Sequence, residues 1–234
     1  MRPEELALAP LWYITFLFST TCHEAAHAWA AKAGGDLTAF HGGQVTLNPA
    51  PHIRREPFGL VVIPLLSFFM NGTMLGWASA PYDPSWSRKY PRRAAWMSLA
   101  GPAANFTLVL LAGIFIRIGL LAGVFTTPRA IGFESVVAAA TGASPAWEGA
   151  ATFLSILFAL NLLLGAFNLL PVPPLDGYSV LGLFTTESLG VKLQEFRQRA
   201  GMFAMFGLLL GWQVFDYIFR PLFITALRIL YQAS

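Results

Sequence analysis

Long apolar stretches with few charges set the terms on which this chain can fold. They run from Leu6 to about Ala33, Phe58 to about Ala80, Ala94 to about Val124, Ala151 to about Leu170, and Met202 to about Phe219. A helix needs about 20 residues, rising 1.5 Å each, to cross the roughly 30 Å hydrocarbon core of a bilayer. Only 12% of the residues are charged, against roughly a quarter in soluble domains. The chain therefore reads as an all-α membrane protein, a multi-pass bundle of transmembrane helices. In lipid, helices gain little by burying apolar surface against one another, so they must approach closely through small side chains. The 21 glycines suit that need.

The net charge of +3 is small, and no basic patch is interleaved with aromatics, so nucleic acid is not an expected partner. The single cysteine, Cys22, has no internal disulfide partner. It adjoins His23, but reads better as a small residue packed in a membrane helix than as a metal ligand. Glu4 and Glu5 stand where a signal peptide would carry cations, and no small-residue cleavage pattern precedes His23. Leu6 to Ala33 is thus expected to be a permanent first helix. Residues 1–234 read as one domain, with its core in 6–180 and a C-terminal helix over 201–219, stopped by Arg220-Pro221 and followed by a tail.

Basic residues favour the cytoplasmic face. Lys32, Arg54, Arg55, the segment Pro81 to Arg93 and the segment Leu175 to Ala200 carry most of them, whereas Thr126 to Trp147 carries only Arg129. Both basic segments are expected to be solvated loops. This pattern runs the first helix inward, the third outward and the fourth inward. The stretch from Phe58 to Ala80 then has basic flanks on one face and cannot cross. It is expected to be re-entrant or folded into a hairpin, broken at Pro64 and Asn71-Gly72. Alternation over Gln44 to Pro49 suggests a short strand or β-hairpin beside it, also after the first helix.

His23-Glu24-Ala25-Ala26-His27 places two imidazoles one turn apart on one helix face, where both can reach a single Zn²⁺. Glu24 can hold the water and accept its proton. Ionisable groups cost about 2.5–3.5 kcal/mol each at mid-membrane on insertion scales, so a bland hydrogen-bonded cluster is the weaker reading. Zinc needs a third protein ligand and an open fourth position. His41 and His52 in the following loop are available. So is Asp176, which follows Pro171, Pro173 and Pro174 and precedes Gly177. The prolines stop the fourth helix and could turn the carboxylate back toward the histidines.

Three motifs in order resemble the site-2 proteases, a family of intramembrane zinc metalloproteases. They are His23-Glu24-x-x-His27, Gly101-Pro102-Ala103-Ala104-Asn105, and Asn168-x-x-Pro171-x-x-Pro174-Leu175-Asp176-Gly177. Gly42 to His52 and Gly76-Trp77-Ala78 are similar to the compact bacterial branch. The resemblance implies His23, His27 and Asp176 as ligands to one Zn²⁺ per chain, with Glu24 as general base. It implies that Asn168 lies near the metal and binds substrate backbone or the developing oxyanion, while Asn105 is structural or substrate-facing. Tyr178 stands where many members have a second glycine. A bacterial cell membrane is the implied location, with the site toward the cytoplasm and a transmembrane protein as substrate.

The derived topology agrees, because the first and fourth helices run the same way and bring His27 and Asp176 to one end. The competing readings are a non-catalytic zinc-binding scaffold, a metal transporter, and a metalloprotease using Glu134, Glu148, Glu187 or Glu195 as third ligand. An intact Glu24 disfavours the first. The apolar run Leu11 to Phe18 offers a transporter no polar route outward.

Overall fold

The computed structural model describes residues 6–232, so Glu4, Glu5 and the outermost ends of the 1–234 unit lie outside the described residues. Helix α1 (Ala9–Ala33) is followed by the single turn α2 (Thr38–His41) and by α3 (Pro49–Arg55). A π-helical turn, Phe58–Val62, leads into α4 (Ile63–Asn71), and α5 (Pro84–Lys89) precedes the long α6 (Pro91–Leu121). Strands β1 (Phe125–Thr126) and β2 (Ala138–Ala139) pair antiparallel in the connection to α7 (Pro145–Asn168). Then come α8 (Asp176–Val180), a 3-10 turn over Leu181–Phe184, α9 (Glu187–Arg199) and α10 (Gly201–Tyr231).

Local chemistry sets most of the boundaries. Asn48 and Asp83 cap α3 and α5 by accepting from the backbone N–H of Ala50 and Ser85, each with a proline next in sequence. Thr186 caps α9 through Leu189 N. Helix α4 ends where Gly72 takes a left-handed φ of 74°, a turn that only glycine makes without cost.

Helices α1, α6 and α7 pack against one another, with α8 lodged on α6 and α10 resting more lightly on α7 and α9. One apolar cluster joins Ile116, Phe158, Phe215 and Phe219; another joins Trp12, Phe16, Leu60, Met74 and Ile156. Beside these apolar clusters the long helices bury several polar side chains, while turning large apolar ones outward. Thr15, Ser19, Thr20, Thr21, Asn105, Ser155 and Asn161 are buried, while Leu110, Ile114, Phe115, Ile118 and Leu121 of α6 are exposed. Among the described residues two helices are long and apolar enough to cross a membrane by length and composition, Pro91–Leu121 and Pro145–Asn168.

Four expectations need correction or refinement. Gln44 to Pro49 forms no strand. Thr46 Oγ1 and Asn48 Oδ1 capture the N–H groups of Asn48 and Ala50, and the His52 ring holds the Thr46 carbonyl. Those local side-chain bonds replace a ladder. The strand pair instead lies between α6 and α7. The stretch from Phe58 to Ala80 does double back, with Trp77 N on Gly59 O at 3.1 Å and Leu75 N on Ser67 Oγ at 2.9 Å. Gly72 makes its bend, but Pro64 sits harmlessly in the first turn of α4.

The other two corrections concern basic and proline-bearing segments. The segments Pro81 to Arg93 and Leu175 to Ala200 are largely helical, carrying α5 and the start of α6, and α8 and α9. Arg220-Pro221 does not end the last helix, which runs on to Tyr231. A proline inside a helix removes one hydrogen bond, here to the Tyr217 carbonyl. The Asp216–Arg220 ion pair at 3.3 Å spans that turn, and Thr225 Oγ1 donates to the Pro221 carbonyl at 2.7 Å.

Candidate metal centre

Helix α1 carries His23 and His27 on one face, as their spacing requires, and both are buried. Beyond the end of α7, Pro171 to Pro174 turn the chain so that Asp176 opens α8 against α6. Gly177 allows this bend, because a Cβ there would fall on the backbone carbonyl of Leu169. Arg197 of α9 ties the bend down, donating to Ser179 Oγ at 2.6 Å, to the Pro174 carbonyl at 3.3 Å and to Ser98 Oγ of α6 at 3.4 Å.

Three donor atoms meet. His23 Nε2 is 2.9 Å from His27 Nε2, and the Asp176 Oδ2 lies 3.2 Å from the first and 3.1 Å from the second. At zinc–ligand distances of 2.0–2.1 Å, a tetrahedron has ligand–ligand edges of about 3.3 Å. The observed triangle has nearly that size. Among the described residues it is the one His/Cys/Asp/Glu group able to hold a metal ion.

The rest of the site keeps those atoms bare. His27 Nδ1 faces the Met97 carbonyl at 2.7 Å; a carbonyl only accepts, so Nδ1 carries the proton and Nε2 is free. His23 Nδ1 faces Asn105 Oδ1 at 2.6 Å. Gly101 leaves room for the pair, since a Cβ there would fall on the Nε2 atoms of both histidines. Glu24 is buried, and its Oε2 has no hydrogen-bond partner.

The other candidates lie elsewhere. Asn168 is half-buried and donates back along its own helix to the Leu164 carbonyl at 3.0 Å. His41 is exposed beside Phe40, and His52 is buried against the Thr46 carbonyl. Glu134 accepts from Trp12 Nε1 at 2.6 Å, and Glu148 and Glu187 are exposed. Neither these nor Glu195 belongs to the donor group. Cys22 is half-buried and lines a groove of about 470 Å³ between α1, α6 and Val45 to Leu47. A depression of about 550 Å³ around Asp36, Asp83 and Trp86 holds none of the donors.

Sequence reasoning undervalued Asn105 and missed Met97, Arg197, Asn161 and Ser19. Met97 acts through its carbonyl, which no side-chain pattern reveals. Asn161 had a legible signal: an amide in the middle of a strongly apolar helix is expensive and needs a partner.

Residues 12–212 match the family model for Peptidase family M50. A protein of Bacillus subtilis (strain 168), provisionally named the zinc metalloprotease YwhC, is 37% identical over 177 residues, covering 75% of this chain and 69% of its own length. The provisionally named zinc metalloprotease Rip2 of Mycolicibacterium smegmatis (strain ATCC 700084 / mc(2)155) is 31% identical over 166 residues, 71% of this chain and 54% of that protein. Rip2 of Mycobacterium tuberculosis (strain ATCC 35801 / TMC 107 / Erdman) is 33% identical over the same share of each. The chain thus spans about half the length of the Rip2 relatives. No solved structure is significantly similar to it.

Proposed function

Because this chain belongs to peptidase family M50 and is a zinc metalloendopeptidase acting on protein, we propose that it hydrolyses peptide bonds in or beside the transmembrane helices of its substrates. One observation carries the membrane part of this reading: the donors sit among buried polar side chains, in helices whose outer faces are apolar. A soluble enzyme would cover such outer faces with charged side chains, whereas a bilayer favours apolar surface outward and functional polar groups inward. The reading makes the chain a multi-pass bundle in a bacterial cell membrane. The turned-back segment 58–80 is then re-entrant, and the site lies toward the basic, cytoplasmic face.

His23, His27 and Asp176 would hold the zinc. When bound, zinc lowers the pKa of a coordinated water toward about 7 and polarises a carbonyl. Glu24 is the proton carrier: its unpaired, buried oxygen takes the proton from the attacking water and returns it to the leaving amine. Asn168 is the candidate donor to the oxyanion, once its amide leaves the Leu164 carbonyl.

A helical peptide bond is shielded by its own hydrogen bonds, so the substrate must unwind locally. The groove beside Cys22, Ala25, Ala26 and Trp29 runs along another face of α1 from the histidines and is bounded by Val45 to Leu47. An extended substrate segment could lie along it, with the 45–47 stretch as the gate. The test is cleavage of a single-helix reporter by the purified full chain in vesicles, beside a soluble unfolded peptide of the same scissile sequence. Cleavage of the helix reporter, lost in Glu24→Gln, supports the reading. Cleavage of the soluble peptide alone removes its intramembrane part.

A further inference from the structure

We infer that Asn161 and Ser19 are positioning residues for the metal centre: through Asn105 they decide which nitrogen of His23 is free for the metal. The inference rests on the reading of His23 as a ligand. The two histidines are held differently. The partner of His27 is a backbone carbonyl, which cannot be anything but an acceptor. The partner of His23 is a side-chain amide, which has an oxygen at one corner and an NH₂ at the other and can present either. Presented the wrong way, Asn105 would offer N–H to Nδ1, and the ring would have to carry its proton on the atom that faces the metal.

A chain of one-way bonds prevents that reversal. Ser19 donates its only hydroxyl proton to the Thr15 carbonyl at 2.7 Å, so toward Asn161 it can only accept. One corner of the Asn161 amide lies 2.8 Å from Ser19 Oγ and 2.8 Å from the Leu157 carbonyl. Two acceptors there require the NH₂, whose two hydrogens satisfy both. The opposite corner of Asn161 is therefore oxygen, and it faces Asn105 at 2.7 Å. Asn105 must then present its NH₂ to Asn161 and its oxygen to His23 Nδ1, at 2.6 Å. Nδ1 is thereby the protonated nitrogen, and Nε2 offers its lone pair beside His27 and Asp176.

Ser19, Asn105 and Asn161 are each 0% exposed, so water cannot stand in for a missing partner. The chain crosses from α7 to α6 to α1, so the packing of these helices is also what sets the imidazole tautomer.

The test uses the purified full chain and reads zinc affinity by chelator competition, independent of proteolysis. Asn161→Leu keeps much of the side-chain volume but leaves the Asn105 amide free to turn, and affinity should fall by about 10–100-fold. Adding Asn105→Asp should restore most of it, because a carboxylate accepts from Nδ1 in any orientation. In the wild-type background Asn105→Asp should instead lower affinity, since it faces the Asn161 oxygen with another acceptor. Ser19→Ala, with Leu157 still holding the amide, should lose less than about tenfold.

Unchanged affinity in Asn161→Leu overturns the inference, as does a loss that Asn105→Asp fails to rescue, which marks a merely structural role. Should Asn161→Leu not fold, nitrogen chemical shifts of the His23 ring in metal-free wild type, at a pH where the ring is neutral, decide the matter. The Nδ1–H tautomer supports the inference and the Nε2–H tautomer overturns it. Zinc retained by His23→Ala would instead sink the ligand assignment.

Discussion

The two sides of α1 handle buried polar groups in opposite ways. Toward α6, α7 and α8, the buried Ser19, Asn105 and Asn161 are all paired, and both histidine Nδ1 atoms have acceptors. Gln44 Oε1 and His52 Nδ1, in the excursion between α1 and α4, are buried without partners, as are Thr21 Oγ1 and Glu24 Oε2 on α1 itself. Thr15, Ser19 and Thr20 each donate to a carbonyl one turn back, and Thr21 does not. His52 Nε2 faces the Thr46 carbonyl and so must be its donor, which leaves Nδ1 as a bare acceptor. A buried unpaired group costs about 1–3 kcal/mol. The histidines are thus fixed in advance by their neighbours, while Glu24 beside them and the excursion keep buried acceptors without a partner.

Several changes would break or sharpen that contrast. Asp176→Ala removes a corner of the donor triangle. Metal content and cleavage should fall together by more than about 100-fold, read by elemental analysis beside the reporter assay. Glu24→Gln should cut cleavage by about 10²–10⁴-fold while zinc stays bound; full activity would remove Glu24 from the mechanism. Gly101→Ala pushes a methyl onto both imidazoles and should cost about 1–3 kcal/mol in a denaturation curve, with weaker zinc binding.

The smaller effects lie farther from the triangle. Arg197→Ala frees the bend that carries Asp176, and stability should fall by about 1 kcal/mol with zinc affinity lowered several-fold. Gln44→Leu replaces an amide whose oxygen has no partner with an apolar group of similar size. It should leave melting unchanged or slightly raised while KM for the reporter rises. A large loss of stability would show that Gln44 belongs with the paired side.

The meeting of the three donor residues was more legible than the path of the chain. His23 and His27 announce themselves because helical spacing converts a sequence interval directly into a shared face. Asp176 was readable because three prolines fix where a helix must stop. The doubling back of 58–80 followed from charge on its two flanks. Gln44 to Pro49 misled because alternation signals a strand only if a neighbouring strand exists to pair with it, and here local side chains take the backbone groups instead. Pro221 misled because one lost hydrogen bond bends or weakens a long helix without ending it. The pairing of Asn105 with His23, and of Asn161 with Ser19, depends on how three helices sit together, which no single stretch of sequence records.

The place of the histidines along α1 also acts as a ruler. Ala33, the last residue of that helix, lies six positions beyond His27, or about 9 Å at the rise of an α-helix. If α1 spans the bilayer, every substrate would be cut at that fixed depth from the same face. The released fragment would then carry a short apolar stub, too short to hold it in the lipid.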